Sequence, residues 1–162
     1  MTTQACAIWG EDFTRYDFGP GHPMAPVRLD LTARLCRELG VFDQVDVVDV
    51  APATDEVLHT VHDPEYVAAV RAISEDPTVA DGRWGIGTDD VPAFAGIHES
   101  SARIVLGSIE AARRVWTGEA EHGVNFTGGM HHAMRSRAAG FCIYNDCAVA
   151  IHWLLENGFD RI

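Results

Sequence analysis

The sequence has few basic residues and no long apolar run. Of its 162 residues, 12 are Lys or Arg and 24 are Asp or Glu, so the formal net charge is -12. A surface that binds nucleic acid needs clustered basic side chains to neutralise the phosphates, which this balance disfavours. No stretch approaches the roughly 18 apolar residues of a membrane-spanning helix. The composition therefore predicts a protein with no nucleic-acid partner and no membrane span.

Several common sequence signatures are also missing. The four cysteines, at positions 6, 36, 142 and 147, form no CxxC pair and lie among apolar neighbours, which indicates a reducing compartment. The first residues, MTTQACAIWGED, lack the basic start and long apolar segment of a secretory signal. The P-loop and GxGxxG nucleotide-binding motifs are absent. We therefore expect a cytoplasmic protein, and its oligomeric state is left open.

Short apolar runs alternate with helical patterns along the chain. Strands are predicted over 5–9, 45–50 and 123–129. Helices are predicted over 27–40, 54–60, 63–74, within 92–118 and over 144–158, with a long loop over 75–93. In the first helix, Leu31, Leu35 and Leu39 recur at helical spacing. The alternation predicts an α/β fold with a parallel sheet. A further strand is expected to start at Arg161 and Ile162, which predicts a truncated sheet with an open edge.

The segment GGMHHAMRSRAAGFCIYND, residues 128–146, contains two adjacent histidines, His131 and His132. On a strand their side chains would point to opposite faces, and on a helix they would lie about 100° apart. Neither arrangement suits two ligands of one metal. On an irregular loop after a strand, both rings can converge on one site, and the glycines permit the required backbone. Such a pair can divide proton transfer and charge stabilisation. The alternative is one core histidine and one exposed histidine.

Other candidates have both a functional and a structural interpretation. His22 and Arg28 lie in GPGHPMAPVR and could line a pocket, or they could belong to a surface loop. Asp90 could accept hydrogen bonds from a ligand, or it could form a turn. Phe141 could wall an apolar channel or simply pack in the core. Cys142 could be a nucleophile beside the histidines, which would require exposure and a cationic neighbour.

Four segments resemble the histone deacetylase superfamily, in particular the bacterial acetoin-utilization deacetylases. They are YDFGPGHPMAPVR, HDPEYVAAVR, GIGTDDVPAFAGIHESS and NFTGGMHHAMRSRAAGFCIYNDCAVAI, in family order from residue 16 onward. The GGxHHA pattern followed by GFCxxND is highly specific. The resemblance implies a three-layer α/β fold with a central parallel sheet, of the arginase and deacetylase type. It also implies that residues 1–162 are the N-terminal part of a single deacetylase-like domain, truncated before the metal-binding strands.

The resemblance implies a zinc-dependent amidohydrolase acting on acetyl-lysine or a related acetylated amine. In such enzymes Zn²⁺ polarises the acetyl carbonyl and activates a water. By this resemblance His132 is the general base and then the general acid, and His131 is its electrostatic partner. The family's zinc ligands follow in a D-x-H motif and a later Asp, and its transition-state tyrosine also lies further on. Because residues 1–162 contain none of these, we expect this chain by itself to be inactive.

The resemblance also implies substrate-binding residues. Gly140 and Phe141 would line the narrow channel for the acyl-lysine stem, and Asp90 would grip the substrate backbone at the rim. Arg28 would lie near the pocket floor, close to where acetate leaves. A link with acetoin catabolism comes from the resemblance alone. Two other hypotheses stay open: a short product that binds a partner chain or an acylated ligand without turnover, and a thiol hydrolase that uses Cys142.

Overall fold

The structure is a computed structural model that describes residues 3–162, and it contains a three-stranded sheet. The strands are β1 (Thr3–Ile8), β2 (Asp46–Val48) and β3 (Ala120–Val124), in the order β2–β1–β3. β1 pairs in parallel with both neighbours, which confirms the predicted parallel α/β sheet. β3 ends before the predicted range of 123–129 does. The reason is Asn125, whose side chain accepts a hydrogen bond from the Thr127 N–H at 3.1 Å and turns the chain.

All the predicted helices form, with small shifts in their bounds. They are α1 (Val27–Glu38), α2 (Asp55–Leu58), α3 (Pro64–Glu75), α4 (Ile97–Trp116) and α5 (Asp146–Glu156). Short 3-10 turns lie at Glu11–Arg15 and Pro77–Val79, the second within the predicted long loop. Across residues 3–162, no helix is long and apolar enough to cross a membrane.

The strand expected to start at Arg161 and Ile162 does not form. Both residues are exposed and lie outside any strand. A β-strand is held by hydrogen bonds to a neighbouring strand. The described pairings of β1 are with β2 and β3, and neither of these two residues takes part in them. The expectation is therefore corrected for the part of the chain that the structure describes.

Helix α4 covers one face of the sheet at close range. Cys6 of β1 is in register with Gly123 of β3, so both residues point to this face. A Cβ on Gly123 would lie 2.5 Å from the backbone oxygen of Ala111 in α4. A Cβ on Gly107 of α4 would lie 3.1 Å from the Ile8 side chain. The two glycines therefore permit the helix and the sheet to approach each other.

The opposite face of the sheet is only partly covered. Ala7 of β1 is in register with Val47 of β2 and Val124 of β3. Because side chains alternate along a strand, these three point away from α4. Val47 and Val124 are 42% and 49% exposed. Connections between parallel strands are right-handed in nearly all proteins, and by this rule the β1–α1–β2 crossover would put α1 on this second side of the sheet.

Helix α1 forms where its leucine spacing predicts a helix, but the repeating leucines do not face the core. Leu29 and Ala33 are its buried residues. Its exposed apolar residues share a spacing of four and form one row along the helix. They are Val27, Leu31 and Leu35, and Leu39 continues the spacing directly after the helix. Residues 3–162 therefore bury only one of two apolar faces of this helix.

Two histidines are buried on either side of Tyr144. His62 Nε2 accepts a hydrogen bond from the Asn145 N–H at 2.9 Å, so its Nδ1 carries the proton that faces the Arg135 carbonyl at 3.2 Å. His98 Nδ1 lies 2.9 Å from the Tyr144 hydroxyl. Burial lowers the pKa of both histidines, because an imidazolium would lose its hydration there.

We expect the free energy of unfolding to fall as the pH is lowered below the ordinary histidine pKa of 6.5. Because both folded-state pKa values lie below that value, the unfolded chain binds protons first, so stability is greatest above it and is lost as the pH falls. The urea midpoint should be lower at about pH 5.5 than at about pH 7.5. His62→Gln should reduce this pH dependence, and the exposed control His122→Gln should not. Equal pH dependence in wild type and His62→Gln would contradict the assignment.

Candidate active site

The two adjacent histidines are exposed on the irregular segment between β3 and α5. The ring centroids of His131 and His132 are 4.4 Å apart, and the ring planes meet at 43°. Consecutive side chains share one side here because the backbone is neither strand nor helix. The geometry agrees with the predicted convergence of the two imidazoles.

A tight two-residue turn lies against the second histidine. Ala139 and Cys142 exchange backbone hydrogen bonds of 3.1 and 2.9 Å. Between them, Gly140 and Phe141 have φ values of +54° and +68°, the left-handed pattern of a primed hairpin turn. A Cβ on Gly140 would lie 2.8 Å from the His132 ring. The glycine is therefore required both by the turn and by the close approach of the imidazole.

Phe141 is held in its left-handed conformation by contacts with distant parts of the chain. It is the only residue other than glycine with a positive φ within residues 3–162, a conformation that costs about 1–3 kcal/mol. The Tyr16 hydroxyl donates a hydrogen bond to the Phe141 carbonyl at 2.5 Å. Burial raises the pKa of Tyr16 well above its usual value, so the hydroxyl stays a donor. The His22 ring meets the Phe141 ring edge-on, with centroids 4.7 Å apart.

Asp90 ties a second loop to the same turn. Its Oδ2 accepts a hydrogen bond from the Gly140 N–H at 2.8 Å. Its backbone carbonyl lies 3.4 Å from His22 Nε2, while His22 Nδ1 accepts from the Met24 N–H at 3.1 Å. The neutral His22 ring therefore carries its proton on Nε2. Asp90 is exposed, so its other carboxylate oxygen is accessible at the rim of the turn.

Arg28 stands apart from the residues gathered around the turn. It lies exposed in the first turn of α1. Within residues 3–162, its guanidinium forms no hydrogen bond or ion pair. The structure therefore brings together His131, His132, Asp90, Gly140 and Phe141 but not Arg28. The place of Arg28 at a pocket floor stays a prediction.

The environment of Cys142 does not favour a nucleophilic thiol. Cys142 is buried, and its Sγ–H donates to the Gly140 carbonyl at 3.2 Å. Burial raises the pKa of this thiol, whereas reactive cysteines need a lowered one. The thiol hydrolase hypothesis therefore has no support from the geometry.

Asp146 fixes the backbone just before the histidine pair and was not identified as a site residue from the sequence. Its buried carboxylate accepts hydrogen bonds from four donors: the Gly129 N–H at 3.0 Å, the Met130 N–H at 2.7 Å, the Ser108 hydroxyl at 2.5 Å and the Cys147 thiol at 3.7 Å. A Cβ on Gly128 would lie 2.4 Å from Asp146 Oδ2. Gly128 is therefore needed for the carboxylate to reach the loop.

Asn145 fixes the backbone on the other side of the pair. Its side-chain oxygen caps α5 by accepting from the Ala148 N–H at 2.9 Å. Its amide nitrogen donates to the carbonyls of Ala133 at 3.0 Å and His131 at 3.3 Å. The sequence predicts the cap, because Asn and Asp favour this position. No local signal reports the other bonds, whose acceptors lie 12 and 14 residues away.

No metal site is formed by the part of the chain that the structure describes. No group of three His, Cys, Asp or Glu side chains within residues 3–162 is arranged to hold a metal ion. The rings of His131 and His132 are exposed.

We expect Asp146→Ala to destabilise the chain by about 1–3 kcal/mol, because it leaves the amides of Gly129 and Met130 without their acceptor. Hydrogen exchange followed by mass spectrometry should show faster exchange in the segment that contains these two amides. Asp160→Ala, a change at an exposed carboxylate near the C-terminus, is the matched control. Unchanged exchange protection in Asp146→Ala would show that the carboxylate does not fix the loop.

Known proteins are similar to this chain in sequence and in fold. Residues 22–162 match the histone deacetylase domain. The acetoin utilization protein AcuC of Bacillus subtilis is 40% identical over 157 residues, which are 96% of this chain and 41% of AcuC. Histone deacetylase RPD3 of Saccharomyces cerevisiae is 33% identical over 153 residues, 92% of this chain and 35% of RPD3.

Solved structures give the same result. An HDAC homolog complexed with SAHA aligns with a TM-score of 0.85 and 28% identity, covering 99% of this chain and 43% of the homolog. An HDAC homolog from Aquifex aeolicus aligns with a TM-score of 0.86 and 28% identity, covering 98% of this chain and 43% of the homolog. This chain thus spans about two fifths of the length of AcuC and of these homologs. With a domain match over residues 22–162, it belongs to the histone deacetylase family.

Proposed function

We propose that residues 1–162 are the N-terminal part of a single histone-deacetylase-like domain. In its complete form this domain would be a zinc-dependent deacetylase of acetyl-lysine or a related acetylated amine. The observation that carries the proposal is the contact between the His132 ring and Gly140, where a Cβ would come within 2.8 Å. This contact joins an exposed imidazole pair to an apolar turn, which is what hydrolysis of an amide on a long side chain requires.

The histidine pair would carry the proton transfers. His132 would take a proton from the attacking water and return it to the departing amine. His131, with its ring 4.4 Å away, would balance the charge that develops on its neighbour. Both rings are exposed, so a substrate can reach them.

The turn at Gly140 and Phe141 would hold the side chain of the substrate. The phenyl ring of Phe141, backed by His22 at 4.7 Å, offers an apolar wall for the methylene groups of an acyl-lysine. Because Gly140 has no side chain, the Phe141 wall can lie close to the His132 imidazole and the channel between them would be narrow. Asp90, already bonded to the Gly140 N–H, would accept a hydrogen bond from the substrate backbone with its other carboxylate oxygen. Arg28 would complete the floor of the pocket once further chain covers α1.

Zinc, when bound to the complete domain, would polarise the acetyl carbonyl. Residues 3–162 contain no side-chain group that fits this ion, so its ligands would come from elsewhere in the domain. We therefore propose that the 162-residue chain by itself does not deacetylate. We also propose a cytoplasmic setting linked to acetoin catabolism, which is supported by relatives named acetoin utilization protein.

A second candidate is a short product that binds a partner chain or an acylated ligand without turnover. The lack of a metal-holding group within residues 3–162 favours it. The two candidates predict different lengths for the protein that accumulates in the cell. An antibody against residues 1–162 would detect a longer protein if the chain is part of an enzyme, and a 162-residue product if it is a binding protein.

Activity can be tested with a chimera of residues 1–162 and the C-terminal part of Bacillus subtilis AcuC that lies beyond the matched region. We expect the chimera to release acetate from an acetyl-lysine peptide. Chelation of zinc should abolish this release. His132→Ala should lower kcat by about 10²- to 10⁴-fold, the usual share of general acid–base catalysis. His122→Ala, at an exposed position in β3, is the control. Deacetylation by residues 1–162 alone, or full activity in His132→Ala, would overturn the proposal.

A further inference from the structure

The segment HDPEY, residues 62–66, leads into α3 and contacts a part of the chain that lies 72 to 83 residues further on. His62, Asp63 and Tyr66 each bond a different part of residues 135–145. His62 and Tyr66 are fully buried. Three side chains at the start of one helix therefore hold the chain on both sides of the tight turn beside the histidine pair.

Asp63 is the N-cap residue of α3, but its carboxylate does not cap that helix. Asp is favoured at an N-cap because its side chain can accept hydrogen bonds from the first free N–H groups of the helix. Here the carboxylate accepts from Arg135 Nε at 2.5 Å and from the Ser136 hydroxyl. Because the Asp63–Arg135 ion pair is exposed, it contributes little stability by itself. The stronger constraint on the loop comes from the buried residue next to it, His62.

The imidazole of His62 bridges the two ends of the same segment. Its Nε2 accepts a hydrogen bond from the Asn145 N–H at 2.9 Å, and its Nδ1 faces the Arg135 carbonyl at 3.2 Å. Only the neutral ring with its proton on Nδ1 supplies this acceptor and this donor together. Burial lowers the pKa of His62 and so favours the neutral ring. Loss of the ring would leave the Asn145 N–H without its acceptor.

Asn145 transmits this constraint to the histidine pair. Its side-chain amide donates to the carbonyls of His131 at 3.3 Å and Ala133 at 3.0 Å, which are the residues on either side of His132. Its side-chain oxygen accepts from a backbone N–H in the first turn of α5. The helix therefore orients the amide group of Asn145, and His62 fixes its backbone.

We propose that His62 is a positioning residue for His132 and acts through Asn145 on the backbone to either side of that imidazole. The inference rests on the proposed function, in which His132 transfers protons. A displacement of about 1 Å in a catalytic group can lower a rate by about 10²-fold. A buried neutral imidazole suits this role because it adds no positive charge to a site in which His132 must take up a proton.

The wall of the channel is held by other contacts. The Tyr16 hydroxyl bonds the Phe141 carbonyl at 2.5 Å, and Asp90 bonds the Gly140 N–H at 2.8 Å. Loss of the His62 ring should therefore displace the catalytic imidazole and leave the substrate wall in place. The expected signature is a fall in kcat with little change in KM. A residue needed only for folding would instead reduce the amount of folded protein and leave its kcat unchanged.

The bonds of His62 can be measured by NMR in residues 1–162. At about pH 7.5, long-range proton–nitrogen spectra should show a neutral His62 ring with its proton on Nδ1. His62→Phe should speed hydrogen exchange at the Asn145 amide by about 10-fold, because the acceptor is lost. His62→Gln should keep most of the protection, because its side-chain oxygen can take the place of Nε2. His59→Phe, the same change at an exposed histidine three residues earlier, is the matched control.

Kinetics of the chimera with the C-terminal part of AcuC test the role in catalysis. We expect His62→Phe to lower kcat by about 10- to 100-fold and to change KM by less than about two-fold. His62→Gln should recover most of the lost kcat, and His59→Phe should change neither constant. Each kcat is expressed per folded molecule, with the folded fraction measured by circular dichroism.

The outcomes separate this inference from the proposed function. An active chimera that keeps its full kcat in folded His62→Phe overturns the inference and leaves the function standing. A wild-type chimera without deacetylase activity counts against both. A charged His62 ring in residues 1–162, or one with its proton on Nε2, overturns the inference whatever the activity. If His62→Phe does not fold, His62→Asn takes its place, because its side chain is too short to reach the Asn145 N–H, and the same loss of kcat is expected.

Discussion

The candidate site depends on one buried carboxylate. Asp146 lies in the first turn of α5 and bonds the Ser108 hydroxyl of α4 together with the N–H groups of Gly129 and Met130. One side chain therefore joins two helices to the loop that carries the histidine pair. A buried carboxylate is tolerated only when its oxygens are paired, so this geometry leaves little freedom to the loop. Gly128 is needed because a Cβ there would collide with the carboxylate, and Gly129 is needed because its φ of +91° lies in the left-handed region.

The channel side of the site is assembled by long-range contacts to one strained turn. Phe141 adopts a left-handed backbone conformation that a phenylalanine rarely takes. The Tyr16 hydroxyl holds its carbonyl from 125 residues away, and Asp90 holds the preceding amide from 50 residues away. These contacts tie the N-terminal loop and the long loop to the turn. The packed domain therefore offsets the strain, and the phenyl ring stays beside the imidazoles.

The packing is unequal on the two sides of the sheet. On one side, glycines in α4 and β3 permit contact at backbone distance. On the other side, valines of the sheet and leucines of α1 remain in water. Residues 3–162 therefore cover the two sides of the sheet unequally. It agrees with a chain that spans about two fifths of the length of its relatives.

The sequence alone determined the family, the order of helices and strands, and the residues around the turn, because GGxHHA and GFCxxND are rare combinations and the apolar periods are strong. It also predicted that adjacent histidines on a loop can converge. Only the tertiary structure decided that Asp146 and Asn145 hold this loop, because their acceptors and donors lie 12 to 17 residues away and leave no local pattern. The leucine spacing determined that α1 is a helix, but not which side faces the core. That choice depends on which apolar surface finds a partner, and residues 3–162 supply a partner for only one of the two.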